Sequence, residues 1–202
     1  MTNSTIYGNN GADGGGIRKS DVGTVNVSGC TITQNIGHGL FNATPNGSFN
    51  VKSSIVSLNF AGQLNAEVFG NFSSLGFNLI TITDGSTGFT QPTDKVGTHD
   101  LPILAGLDPN GLQDNGGPTQ TVALLAGSLA IDAGTSEGLT GDLTTDQLGE
   151  GFLRSFDDPA IPNTAGGDGT DIGAFEAQAS LLVPARLGNI STRLSVEAGE
   201  NV

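Results

Sequence analysis

The sequence predicts an all-β fold: a right-handed parallel β-helix of about 24 residues per coil, ending in irregular coils and a cap. Three observations predict it. A short strand that ends on Asn recurs at a fixed interval. An alternating strand recurs at the same interval. A glycine-rich third strand follows each Asn turn.

The Asn-ending strands read Asn-Ser-Thr-Ile-Tyr-Gly-Asn at 3–9, Gly-Cys-Thr-Ile-Thr-Gln-Asn at 29–35 and Ser-Ser-Ile-Val-Ser-Leu-Asn at 53–59. Asn9 and Asn35 are 26 residues apart, and Asn35 and Asn59 are 24 apart. Stacked coils place like residues over one another. Ile6, Ile32 and Ile55 are therefore expected to form an internal aliphatic stack, and Asn9, Asn35 and Asn59 an amide ladder at one corner. Asn tolerates left-handed backbone angles, which suits a corner. Cys30 precedes Ile32 by two, so it is expected to point inward as a small core residue.

The alternating strands are Thr24-Val25-Asn26-Val27 and Ser48-Phe49-Asn50-Val51, with the period of a half-buried strand. The glycine-rich elements are Gly14-Gly15-Gly16-Ile17 and Gly37-His38-Gly39-Leu40-Phe41. A more degenerate fourth unit lies at 72–80. Regular coils are expected over 1–83, irregular coils and a cap over 84–178, and a linker with the start of a truncated β-rich module over 179–202. The last region alternates as a strand would through Leu187-Gly188-Asn189-Ile190-Ser191-Thr192-Arg193-Leu194.

Composition agrees with a thin, regular core. Hydrophobic residues make up 36%, with 32 Gly, 10 Phe, one Tyr and no Trp. The formal charge is −13, from 20 acids against 7 bases. Phosphate recognition and docking on anionic lipid both need clustered Lys and Arg, so nucleic acid is excluded as a partner. No apolar run approaches the roughly 20 residues of a membrane span. With one cysteine, no disulfide forms within the chain. Export would require the chain to belong to something longer, because its opening residues are strand-like and carry no signal peptide.

Beyond residue 82 the repeat fades, but an ordered motif series appears. It runs Leu112-Gln113-Asp114-Asn115-Gly116-Gly117-Pro118-Thr119-Gln120-Thr121, Ala123-Leu124-Leu125, Gly127-Ser128-Leu129-Ala130-Ile131-Asp132-Ala133-Gly134, Thr145-Asp146-Gln147-Leu148-Gly149 and Asp171-Ile172-Gly173-Ala174-Phe175-Glu176. The series resembles the choice-of-anchor Q domain, which ends many bacterial β-helix surface proteins. The resemblance covers about residues 1–178. Leu129 stands where that family usually has Pro, and Leu148 where it usually has Arg. The resemblance implies export and surface display, and brings no established catalytic activity.

Candidate chemistry is sparse. Gly37-His38-Gly39 matches the turn of β-helix pectinases, but those enzymes need clustered aspartates, and only Asp13 and Asp21 precede it. Lysines for a lyase base are Lys19, Lys52 and Lys95, without a basic cluster. Ser128, His38 and Asp132 have no nucleophile-elbow context. Two loops offer hard oxygen ligands for Ca²⁺ or a binding partner: Asp108, Asn110 and Asp114 in one, Asp168 and Asp171 in the other. Thr31-Ile32-Thr33 and Thr81-Ile82-Thr83 would suit an ice-binding array, which Ser54-Ile55-Val56 interrupts. The expectation is a non-enzymatic surface module, a stalk or adhesin-like segment that presents loops to a glycan or protein. The alternative is a carbohydrate-active enzyme fragment, a polysaccharide lyase or glycoside hydrolase with catalytic residues on further N-terminal coils.

Overall fold

A computed structural model describes residues 1–62, 67–139 and 143–178. The β-rich module expected beyond residue 178 lies outside them. The described chain is an all-β parallel solenoid with almost no helix. Its twelve short strands are β1 (Thr5–Tyr7), β2 (Asn10–Lys19), β3 (Thr24–Ser28), β4 (Thr31–Thr33), β5 (Ile36–Asn42), β6 (Ser48–Lys52), β7 (Ile55–Ser57), β8 (Val68–Asn71), β9 (Ser73–Ser74), β10 (Leu79–Ile80), β11 (Ser86–Thr87) and β12 (Lys95–Val96). They form three parallel sheets, ordered β1-β4-β7-β10-β12, β2-β5-β8-β11 and β3-β6-β9.

The alternating strands pair as the sequence predicts, Val25 with Phe49 and Val27 with Val51. Asn10 pairs with Ile36, Gly14 with His38 and Ile17 with Leu40, and register shifts of two residues and then one between these pairs absorb the extra length of β2. The interior is filled by Val27, Cys30, Ile32, Leu40, Phe49, Val51, Val56, Val68, Phe72, Ile80 and Phe89. Phe49, Phe72 and Phe89 stack through it with ring centroids 5.0 and 5.2 Å apart. Cys30 is fully buried there, and burial raises its thiol pKa, as a core role requires.

The aliphatic stack differs from the expectation by one residue. It runs Ile6, Ile32, Val56, Ile80 and Val96. Ile55 instead pairs with Thr31 and Leu79, on the opposite face of its sheet. Asn35 and Asn59 are 24 apart, which forces Ile32 onto Val56; aligning it with Ile55 would need 23. Side chains alternate along a strand, so a slip of one turns each to the other face.

The Asn ladder forms as expected. The Asn9 backbone N and Nδ2 both donate to Asn35 Oδ1, at 2.9 and 3.0 Å. Asn35 donates likewise to Asn59 Oδ1, at 3.1 and 2.8 Å. The left-handed angle falls one residue earlier than predicted, on Gly8, Gln34 and Leu58 (φ 68°, 54° and 60°). This residue turns the corner, and Asn follows it to hold the turn from inside. A second corner repeats the device, with Asn3, Gly29, Ser53 and Phe77 at positive φ before Ser4, Cys30, Ser54 and Asn78.

Irregular winding continues through β11 and β12. Beyond β12 the chain makes contacts along the outer face of the β1-β4-β7-β10-β12 sheet, between the first coil and the fourth. Thr5 donates to Gln147 at 2.6 Å, Thr31 accepts from Ala174 N at 3.0 Å, and Ser53 donates to Thr135 O at 3.0 Å. Ile103 N bonds Thr81 O. This flank buries a second core: Ile55, Leu79, Ala105, Leu107, Val122, Ala130, Ala133 and Ile172. Thr31 and Thr33 lie beneath it, so the first of the threonine motifs is not a surface array.

Gly173 fits tightly in that seam. A Cβ there would sit 2.7 Å from Thr31 Oγ1 and 2.9 Å from Ile55 Cδ1, at a φ of 106°. Gly173→Ala is expected to loosen the flank from the sheet and to cost about 2 kcal/mol or more. Limited proteolysis of the variant should cut between residues 102 and 176 before the coils. Unchanged cleavage would show that the seam is not tightly packed.

Candidate binding groove

Of the candidate ligands singled out in the sequence, only Asp108 and Asn110 bond to one another. Asp108 accepts from Asn110 N, Asn110 Nδ2 and Gln113 Nε2, at 2.9, 2.9 and 3.0 Å, and these bonds hold its carboxyl below the usual range. Asp114 accepts from Gly116 N at 3.0 Å. Asp168 accepts from Ser136 N and Oγ and from Thr170 N. Asp171 accepts from Asp132 N at 2.8 Å and Ala177 N at 2.7 Å. These oxygens fasten turns and seams. Among the described residues, no three His, Cys, Asp or Glu side chains gather as a metal site.

Three of the five flank motifs, 127–134, 145–149 and 171–176, instead meet in one buried acidic chain. The Glu176 carboxylate accepts from Asp171 N at 2.9 Å and Phe156 N at 3.1 Å. Glu176 N donates to Asp146 Oδ2 at 2.8 Å. Arg154, 1% exposed, donates from Nη2 to Asp171 O at 2.9 Å. Burial, with Asp171 close by, pushes Glu176 up to about 10; burial pushes Asp171 up to about 7. Each carboxylate ties one flank motif to the next. The spacing of the motifs fits this structural role and requires no ligand.

His38 is placed in β5. Its Nδ1 lies 2.5 Å from Asp13 O, and its ring packs against Phe41 and Phe69, with centroids 5.3 and 5.5 Å away. Phe41 and Phe69 are stacked at 5.1 Å with an 11° tilt. Arg18 lies 5.4 Å from the Phe41 ring and forms a 2.8 Å ion pair with Asp13. Arg18, Phe41 and Phe69 share one register position across successive strands. Phe41 is covered by Arg18 on one side and by Phe69 on the other, while Phe69 remains 45% exposed. The column contributes cross-strand contacts to its own sheet. Lys19 is buried, its amine held by Asn42, Thr44 O and Asn46 O. Ser128 donates to Ala105 O, remote in partners from His38 and Asp132.

The feature that sequence reading missed is an apolar groove of about 580 Å³ where the flank leaves the solenoid. One wall is the corner Ser57–Phe60, and the other is Pro102–Leu107 with Leu125. Leu58, Phe60, Leu104 and Leu125 are all exposed, Leu104 by 77%. Phe60 pairs with Ile36, itself exposed, and extends the patch to the next coil. Such contiguous apolar surface mostly marks binding sites. Glu67 lines the floor, 3% exposed. Its Oε2 accepts from Asn59 N and Nδ2 at 3.0 and 2.7 Å, and its Oε1 accepts from Thr81 Oγ1 at 2.9 Å. Burial raises its pKa. The signal in the sequence was the left-handed corner. It turns Leu58 outward, where a strand reading places it indifferently.

No helix among the described residues is long and apolar enough to cross a membrane. No protein-family model, no curated protein and no solved structure matches this chain.

Proposed function

We propose that this chain is a non-enzymatic β-solenoid module of a secreted or surface-displayed protein, of the choice-of-anchor Q kind, and that its groove binds an apolar segment of a partner protein. The ordered motif series supports the family reading. The observation that carries the binding reading is the groove, whose walls expose Leu58, Phe60, Leu104 and Leu125. Burying leucine and phenylalanine side chains against these walls gains roughly 25 cal/mol per Å². A hydroxyl-rich glycan would lose hydrogen bonds to water there without replacing them. A protein partner is therefore favoured over a sugar.

The test uses two probes, a displayed library of 12-residue peptides and a glycan array. Peptides selected by the protein should share aliphatic or aromatic anchors. Phe60→Asp and Leu104→Asp should each weaken them at least tenfold. Leu58→Gly provides a variant with intact folding, because glycine adopts a φ of 60° freely. It should keep the melting temperature and still weaken the peptides. Glycan binding that these variants leave untouched, with no peptide selected, would sink the proposal.

A further inference from the structure

The sequence holds four Asn-Gly pairs, at 10–11, 46–47, 110–111 and 115–116. Such a pair can cyclise, because glycine sets no side chain beside the amide nitrogen that attacks the Asn side-chain carbon. Two of the four are locked. Gly111 N donates to Asp108 O at 3.0 Å, and Asn110 Nδ2 to Asp108 Oδ1 at 2.9 Å. Gly116 N donates to Asp114 Oδ1 at 3.0 Å, and Asn115 Nδ2 to Thr121 O and Oγ1 at 3.1 and 2.9 Å. Asn10-Gly11 lies inside β2, where Asn10 pairs with Ile36.

Asn46-Gly47 differs. It lies in the bend between β5 and β6, and both residues are exposed. Among the described residues, neither Gly47 N nor the Asn46 side-chain amide has a hydrogen-bond partner. A Cβ on Gly47 would sit 2.0 Å from Gly23 O, at a φ of 77°. Close backbone approach therefore accounts for the glycine, and not for the asparagine before it.

The second observation is Lys19. It is 5% exposed, and its Nζ donates to Asn42 Oδ1 at 3.4 Å, to Thr44 O at 3.5 Å and, most closely, to Asn46 O. All three acceptors are neutral. Among the described residues Arg18–Asp13 is the only ion pair, so no carboxylate meets the Lys19 ammonium. Burying a cation without a counter-charge is costly. This cation sits on the carbonyl of the peptide bond that joins Asn46 to Gly47. A positive charge there favours loss of the proton from the N–H of the same peptide bond.

We infer that Asn46 is a self-modification site, which Lys19 activates and whose product neutralises Lys19. Gly47 N attacks Asn46 Cγ, and an N–Cγ bond forms. The Cγ–Nδ2 bond breaks. The proton from Gly47 N reaches Nδ2 through water, and ammonia leaves a cyclic succinimide. Water then adds to the ring carbonyl that Lys19 polarises, the former backbone C=O of Asn46. The bond from that carbon to Gly47 N breaks; one proton of the water goes to Gly47 N and the other to solvent. Gly47 stays attached through Cγ, in an isoaspartyl linkage, and the freed carbon is a carboxylate beside the Lys19 amine. Nothing is oxidised or reduced, and water is the one co-reactant.

The test incubates freshly purified chain in neutral buffer, folded and in urea, and follows all four pairs by peptide mass mapping. In the folded chain the Asn46 peptide should lose ammonia and then stand about 1 Da above its parent. It should do so at least threefold faster than in urea, while 110–111 and 115–116 convert more slowly folded than unfolded. Labelling by an isoaspartyl methyltransferase should show a higher ratio of isoaspartate to aspartate in the folded chain than in urea. Exchange of the Lys19 amine protons, read by NMR, should slow after conversion, as an ion pair requires. Lys19→Met should remove the acceleration and the excess of isoaspartate; if that variant does not fold, the comparison of folded with unfolded chain decides alone. A folded chain that leaves Asn46 intact, or converts it no faster than in urea, overturns the proposal. Unchanged exchange at Lys19 overturns the assignment of the product to that amine.

Discussion

Asn35→Ala is expected to destabilise the protein by about 3–5 kcal/mol, although it removes only one small side chain. Asn35 is fully buried, and its side chain serves five partners. Its Oδ1 accepts the two Asn9 donors, and its Nδ2 donates to Ile6 O, Thr33 O and Asn59 Oδ1 at 3.1, 3.1 and 2.8 Å. Alanine leaves the interior ones among these unsatisfied, at about 1–3 kcal/mol each. Asn9→Ala, at the open end of the same ladder, should cost about 1 kcal/mol or less, because water replaces what it loses. Urea unfolding at unchanged m distinguishes the two. Equal losses at both positions would refute the ladder as the main corner support.

The second large effect is a loss of stability as pH rises. The folded state holds protons on Asp171 and Glu176 that the unfolded chain releases near 4. Where the native state binds more protons, stability falls with increasing pH. For Asp171 the fall spans pH 4 to about 7; for Glu176 it continues toward 10. Burial raises Glu67, Asp132 and Asp146 in the same sense. Asp108 and Asp168 are shifted downward, so they act only below pH 4 and do not compete in this window. One proton is worth about 1.4 kcal/mol per pH unit. Between pH 5 and 8 the Glu176 proton alone corresponds to a loss of about 4 kcal/mol, or roughly 8–16 °C in melting temperature, and Asp171 adds to it up to about pH 7. Arg154 opposes the shift, since its charge favours the ionised forms of Asp146, Asp171 and Glu176. Arg154→Met should therefore cost more at pH 8 than at pH 5. A melting temperature that is flat from pH 5 to 8, or a variant loss independent of pH, would contradict this account of the flank.

Much of the fold was legible because a solenoid repeats its instructions. The 24-residue interval, the Asn corners and the alternation of Val25, Val27, Phe49 and Val51 are local patterns, and each is reinforced by its copy in the next coil. The carboxylates that end the ladders were not legible. Glu67, which accepts from Asn59, and Asp94, which accepts from Asn78 N and Nδ2, stand where the repeat breaks down, and nothing in their neighbours marks them as ladder ends. The groove was hidden for a related reason. Leu58 and Phe60 belong to the solenoid, whereas Leu104 and Leu125 belong to the flank, and no periodicity links the two.

Ile55 marks the boundary between the two kinds of information. The amino-acid sequence by itself determined a parallel solenoid, its coil length, its amide ladder and its interior of small and aliphatic residues, because stacking is a nearest-neighbour interaction between similar segments. Only the tertiary structure decided that the β1-β4-β7-β10-β12 sheet is buried on both faces. The flank joins Leu107, 28 residues beyond Leu79, and Ile172, 117 residues beyond Ile55, to one core with them. Contacts of that range depend on where an irregular chain comes to lie, which neither repeat nor alternation encodes.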